Sequence, residues 1–348
     1  MKALAWLSGL ALLVGGAVAA VDEVPATLVP PVKADALRAV LRELERAGNA
    51  VEDRGSDDVT GLKLPTQTLA FWPLLDEVAR QSHRQIVPRR GGGAILLVPA
   101  SGPAGDGPPP VYAGPFRGQI KQLTAQRTFG ADEGQRLTVT LELLWEPRLQ
   151  PLLLRLTPTS VQVESGGRTV ASDQGGQVSW RLAGEGGIEI PLRLPLPPRT
   201  QPRLEGLLVE AVVLVPPGFL TFSFDAVAPG PPREQAGVRA EILQVQSDPA
   251  SQRWQVASAL SYPRLDLESH QAWAFANVEL RLTPKGQGPT IRVRGPREVS
   301  VDEGKKVRLT HLLPDLPAPL SDYALSLHPW SQPLEQPLRL RFRNLPLP

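Results

Sequence analysis

The chain contains no cysteine in its 348 residues. That excludes disulfides, a thiolate nucleophile, cysteine-based zinc sites and a lipid-modified N-terminal cysteine. Whatever folds here must be held by its hydrophobic cores. Aromatic residues are scarce too, with seven tryptophans and three tyrosines. The formal charge is only +2, so no electrostatic footprint for nucleic acid is present. Asn49, Asn277 and Asn344 all lack the hydroxyl partner of a glycosylation site. After the first twenty residues no apolar run approaches the roughly 20 residues that a membrane span needs. Proline and glycine are abundant, at 38 and 31 residues. They predict many turns and linkers.

Residues 1–20 read as a secretory signal. Lys2 supplies the positive start, Leu4 to Val18 is apolar, and Ala17-Val18-Ala19 is a small-residue cleavage site. Exported is the expected address, in the periplasm or outside the cell, with no membrane span after cleavage. Residues 21–99 read as a small α+β module. Leu37, Val40, Leu41 and Leu44 make one helix face over about 34–47, and Phe71, Leu74, Leu75 and Val78 make a second over about 68–82. Pro73 must fall in the first turn of that helix. Strands are expected at 50–52, 59–64, 85–88 and 94–99, the last two joined across Gly91-Gly92-Gly93 as a hairpin. Residues 100–111 are a Pro/Gly linker.

Beyond the linker the chain reads as two copies of one β-rich domain, over 112–228 and 237–348, joined by a Pro-rich segment at 229–236. Leu137, Val139, Trp145 and Val161 meet Trp254, Val256, Tyr262 and Val278 at an offset of 117 positions. Leu207 and Val209 meet Leu325 and Leu327, and Leu220 and Phe224 meet Leu338 and Phe342, at an offset of 118. The shared positions are apolar or aromatic and they alternate, as strands of antiparallel sandwiches do. The expected fold is a small α+β N-terminal module followed by two tandem antiparallel β-sandwich domains of the Ig-like kind.

Within the first module, Leu62-Lys63-Leu64, the run Phe71-Trp72-Pro73-Leu74-Leu75-Asp76-Glu77-Val78-Ala79 and Gln85-Ile86-Val87 resemble the short N-terminal domain of secretins and TonB-dependent receptors. The mature chain as a whole resembles exported proteins of planctomycete-type bacteria. The residues concerned are Phe71-Trp72, Trp145-Glu146-Pro147-Arg148, Glu268-Ser269 and the terminal Leu345-Pro346-Leu347-Pro348. The first resemblance implies protein–protein contact or signalling in the envelope. No pore-forming or receptor barrel follows the module, so secretion or uptake itself is not implied.

Catalytic motifs are missing. His83, His270, His311 and His328 form no close metal-ligand pair. No Gly-x-Ser-x-Gly occurs, and the triple glycine lacks the Lys-Ser/Thr of a phosphate loop. Asp132-Glu133-Gly134 and Asp302-Glu303-Gly304 read as acidic turns. Glu142, Glu146, Glu189 and Glu268 are the carboxylates from which a glycoside-hydrolase pair would be drawn. Arg339, Arg341 and Arg343, like Arg292 and Arg294, alternate along a strand and read as a solvated face. The repeats disagree at one place. Glu268-Ser269-His270-Gln271-Ala272-Trp273 stands where the first copy has Pro151-Leu152-Leu153-Leu154-Arg155-Leu156. Glu268, His270 and Trp273 are therefore the candidate recognition surface, with copy-specific packing as its rival. The expected function is non-enzymatic binding or scaffolding, without cofactor or metal, toward an envelope protein or a polysaccharide. The alternative is a carbohydrate-active protein, either a polysaccharide-binding module or a carboxylate-pair hydrolase.

Overall fold

The computed structural model describes residues 23–348, apart from 34, 90, 103–106, 128–134, 173–175, 183, 199, 249–252, 265–268 and 303–305. The described chain is mostly β-strand in antiparallel sheets, with two α-helices. No helix among the described residues is long and apolar enough to cross a membrane.

The N-terminal unit contains β1 (Leu28–Val29), α1 (Leu37–Arg46), β2 (Val51–Asp53), β3 (Leu69–Ala70), α2 (Phe71–Gln81), β4 (Arg84–Pro88) and β5 (Ile95–Pro99). The sheet order is β2-β5-β4, with β2 parallel to β5 and β4 antiparallel to it. The apolar faces expected on α1 and α2 are buried in one cluster with Ile86, Ile95 and Leu97. Helix α2 starts at Phe71, the first residue of its apolar stripe and later than the expected start near 68, so Pro73 is its third residue and its missing N–H costs nothing. The strand expected at 59–64 is absent. That segment bonds instead to the start of α1, through Leu37 N to Val59 O and Leu62 N to Asp35 O. Gly91, Gly92 and Gly93 all have φ between 72° and 83°, a region that favours glycine, and they form the β4–β5 hairpin loop.

The next strands are β6 (Val111–Ala113), β7 (Phe116–Arg127), β8 (Gln135–Trp145), β9 (Leu153–Leu156), β10 (Val161–Ser165), β11 (Arg168–Ala171), β12 (Val178–Arg181), β13 (Gly187–Pro195), β14 (Arg203–Val215) and β15 (Phe222–Phe224). They are followed by β16 (Arg233–Gln235), β17 (Val238–Ser247), β18 (Trp254–Ser261), β19 (Glu279–Pro284), β20 (Ile291–Arg294), β21 (Glu298–Asp302), β22 (Lys306–Leu312), β23 (Tyr323–His328) and β24 (Leu334–Pro346). Sheet I is β13-β8-β7-β6. Sheet II is β11-β10-β14-β9-β12, with β24 on the other edge of β14. Sheets I and II share one buried cluster. Sheet III, β16-β17-β18-β22-β21, and sheet IV, β15-β23-β19-β20, share another.

The two repeats exchange their last strands. β24, at the end of the second repeat, pairs with β14 of the first along its whole length, placing Leu207 opposite Phe342 and Val209 opposite Leu340. β15, at the end of the first repeat, pairs with β23 of the second, placing Leu325 opposite Phe224 and Leu327 opposite Phe222. The two registers are the same at the offset of 118. The connectors cross between the sheet pairs: Leu220 N donates to Pro329 O and Ser331 N to Gly218 O, both at 2.8 Å. Phe219 stacks on Trp330 at the crossing, with centroids 4.2 Å apart. Pro216-Pro217 directly after β14 disfavours the tight turn that would fold β15 back onto its own neighbour. Repeat boundaries and sheet boundaries therefore do not coincide.

Smaller details repeat as well. A register shift falls between Ile120 and Gln122 in β7 and between Ile242 and Gln244 in β17. The counterpart of Val161 is Leu280 in the structure, since Val161 pairs with Val209 and Leu280 with Leu327. The sequence alignment to Val278 is off by two because the preceding segment changes form. It is strand β9 in the first repeat and a 3-10 helix, Ser269–Phe275, in the second.

His311 is a core position turned polar. It lies opposite Val256 in sheet III, where the first repeat has Leu192 opposite Val139. Its ring is fully buried, and Nε2 lies 2.9 Å from Val278 O. A carbonyl only accepts, so Nε2 carries the proton and Nδ1 has no hydrogen-bond partner among the described residues. Burial holds this imidazole below its ordinary value of 6.5, partly offset by the bond to Val278. The unfolded chain takes up the proton near pH 6.5 and the folded chain does not. Stability is thus unaffected above that pH and falls as pH drops below it. His328, also lowered by burial and then by Arg281, adds a contribution of the same sign. Replacing His311→Leu should flatten the fall in urea-midpoint stability between pH 7.5 and 5 while leaving the part due to His328. Parallel pH curves for the two proteins would contradict this.

Candidate functional site

A cleft runs between the N-terminal unit and the outer face of sheet I. Its larger part has a volume of about 720 Å³. Asp76 and Arg80 of α2, Arg84 to Ile86 of β4, Pro108 to Pro110, and Tyr112, Arg117 and Lys121 of sheet I line it. A second part of about 390 Å³ continues past Val87 and Pro88 to Glu142, Glu185 and Glu189. Gln85, Ile86 and Lys121 line both parts.

Alternation along the strands builds the sheet I wall. Leu137, Val139, Leu141 and Leu143 of β8 enter the core, so Glu142 and Leu144 face the N-terminal unit. Leu144 completes the core of that unit. Arg117 is buried and gripped by Asp76, with Nε to Oδ2 and Nη2 to Oδ1 both at 2.9 Å. Tyr112 donates to the same carboxylate at 2.8 Å. Burial, and then the charge of Asp76, push the Tyr112 hydroxyl well above its ordinary pKa. Glu142 faces Arg117 at 3.6 Å and Lys121 at 3.5 Å.

The cleft walls are held in place by a buried polar latch. The Glu146 carboxylate is fully buried just after β8. It accepts from Thr27 N (2.8 Å), Thr27 Oγ1 (2.5 Å) and Arg148 Nε (2.6 Å). Asn49, also fully buried, accepts from Arg148 N and donates to Thr27 Oγ1. Arg148 Nη2 reaches Pro25 O. Pro115 O accepts from both Trp72 Nε1 (2.9 Å) and Glu146 N (3.0 Å). Val24 N donates to Gln336 Oε1 of β24 at 2.6 Å. The Trp-Glu-Pro-Arg segment thus fastens the N-terminal unit onto the exchanged sheets.

Of the four candidate carboxylates, Glu142 and Glu189 come together, directly opposite in the β8–β13 ladder and beside the same cavity. Glu146 is consumed by the latch, and Glu268 lies outside the described residues. The side chain of His270 is also outside them, although its backbone is part of the 3-10 helix. Trp273 is half-buried against the second core, and Arg181 of β12 lies over its ring, 5.4 Å from the centroid. It therefore bridges the two sheet pairs, as Leu152 and Leu153 do from the other side by entering the second core.

The arginine strands are partly neutralised. Arg339 pairs with Glu210 at 3.2 Å, Arg341 with Glu164 at 2.7 Å, and Arg292 lies 3.9 Å from Glu279. His328 sits between Thr221 Oγ1 and Ser326 Oγ on sheet IV. No group of three or more His, Asp or Glu residues able to hold a metal ion occurs among the described residues. Residues 132–134, 303 and 304 of the acidic turns lie outside the described residues.

No family model matches the chain, and a search of curated proteins finds no similar sequence.

Removing the Glu146 carboxylate would leave the half-buried Thr27 N–H and hydroxyl without their acceptor, while the exposed Arg148 can turn to solvent. Glu146→Ala should therefore cost about 1–3 kcal/mol in a urea unfolding experiment. Glu146→Gln, which keeps one acceptor oxygen, should cost less. An unchanged midpoint in Glu146→Ala would contradict the latch.

Proposed function

We propose that the protein is an exported, non-enzymatic binding or scaffolding protein of the bacterial envelope that acts by protein–protein contact at the cleft. In this reading the chain is a small α+β module followed by two tandem Ig-like β-sandwiches that have exchanged their last strands. The observation that carries the proposal is the cleft itself, a long groove flanked on one side by the edge strand β4 and on the other by a rigid sheet face. Edge strands with open backbone groups are sites where another chain can add. The charged groups in the larger part are tied to one another rather than aimed at a shared point, as Arg117 is to Asp76 and Arg80 to Glu77. That suits a surface to be covered better than a centre of reaction.

The test uses the mature chain, residues 21–348, immobilised in an envelope extract of the source cells. A second sample carries Gln85→Trp and Gln119→Trp, which fill the cleft from its exposed walls. The expected result is a specific protein retained by the first sample and lost from the second. Retention of no protein, with binding of the native chain on a glycan array, would replace this reading with the carbohydrate one.

A further inference from the structure

The free edge of β4 can be assigned atom by atom. Ala100 N donates to His83 O, and Arg89 N donates to Ala94 O. The β4–β5 register pairs Gln85 with Val98 and Val87 with Leu96 between those two bonds. Antiparallel ladders alternate, so residues 83, 85, 87 and 89 turn their N–H and C=O groups toward β5. Arg84 and Ile86 turn theirs the other way. Neither has a backbone partner on that side among the described residues. Pro88, at the end of the same edge, has no N–H to satisfy. Arg84 and Ile86 both line the cleft.

The opposite wall carries unbalanced negative charge at one end. Glu142, Glu185 and Glu189 line the smaller cavity. The Glu142 side chain is only 9% exposed. Among the described residues its Oε2 has no hydrogen-bond partner, and Arg117 Nη1 stays at an ion-pair distance of 3.6 Å. Arg117 is committed to Asp76, and Arg89 to Glu52 at 2.6 Å. Glu185 and Glu189 have no ion-pair partner among the described residues. Among the described residues, Lys121 at 3.5 Å and the shared Arg117 at 3.6 Å are the cations paired with Glu142, and none is paired with Glu185 or Glu189. Glu142 and Glu189 stand directly opposite across the ladder, an arrangement that is unfavourable without a cation between them.

We infer that the cleft takes an extended segment of a partner protein as a fourth strand on β4, with a lysine or arginine of that segment seated among Glu142, Glu185 and Glu189. The backbone groups of Arg84 and Ile86 supply the ladder. Side chains of an added strand point alternately to its two faces, so every second one meets sheet I. A basic residue there meets the exposed carboxylates of Glu185 and Glu189 and sets a cation beside the opposed pair Glu142 and Glu189. This inference rests on the protein-binding reading and specifies its ligand.

The probes are short synthetic peptides of alternating threonine and valine that differ only at the centre, with lysine in one and glutamate in the other. They are titrated onto the full mature chain, with amide exchange followed at Ile86. The lysine peptide should bind about tenfold tighter than the glutamate peptide and slow exchange of the Ile86 amide. The double variant Glu185→Gln, Glu189→Gln should lose the preference and keep the slowed exchange. Equal affinity for the two peptides, or exchange at Ile86 unchanged by either, would overturn the inference. An envelope protein captured through the cleft alongside that negative result would leave the binding reading standing and this ligand assignment removed.

Discussion

The ladder between β14 and β24 is the constraint on which the rest of the structure depends. It brings the end of the chain back to the first sheet pair, and the matching β15–β23 ladder sends the end of the first repeat into the second pair. Leu338, Leu340 and Phe342 are thereby buried in the first core, while Leu220, Phe222 and Phe224 are buried in the second. Each core is missing apolar side chains without the other repeat. Losing several buried large residues at once would exceed the few kcal/mol that separate most folded domains from unfolding. The exchange also fixes how the two sheet pairs meet, since two crossing connectors and the Arg181–Trp273 contact lie between them. The N-terminal unit then rests on this frame through Glu146 and Gln336. The cleft is a groove between parts that cannot easily shift.

Much of this was legible in the residues, and the part that was not has a physical reason. Alternation in Leu137 to Leu143 and the helix faces around Leu41 and Leu75 report which side is buried, and those faces are buried. Alternation cannot report which strand is the neighbour. Leu207 meets an apolar partner whether it lies opposite Phe224 or Phe342, because the repeat carries the same residue at both places. Strand exchange between copies of one domain is therefore invisible in the pattern that reveals the copies. Pro216-Pro217 is the one local hint.

The candidate site was less legible. Glu146 reads as one more surface carboxylate because Thr27, its main donor, is 119 positions away. Trp72 falls off the regular helix stripe, yet it is buried because it serves the seam with sheet I through Pro115. Lys121 and the free side of β4 give no sequence signal at all. Their significance comes from one unit lying against another. Comparison of the copies was the most productive guide. It isolates Glu268 to Trp273, whose described part is a 3-10 helix where the first repeat has strand β9, whereas His311 against Leu192, at an offset of 119, emerges only from the strand registers. Both differences belong to the packing of the second core and its joint with the first.

The absence of native cysteine makes the strand exchange directly testable by engineered thiols. Glu210 on β14 lies opposite Arg339 on β24. If the first repeat closed on itself in the same register, Glu210 would lie opposite Thr221 instead, as His328 does now. Two double variants, Glu210→Cys with Arg339→Cys and Glu210→Cys with Thr221→Cys, can be oxidised and separated by size. The exchanged fold requires the first to close within a monomer and the second to stay reduced. Closure of the second pair, or closure of the first only in dimers, would contradict it.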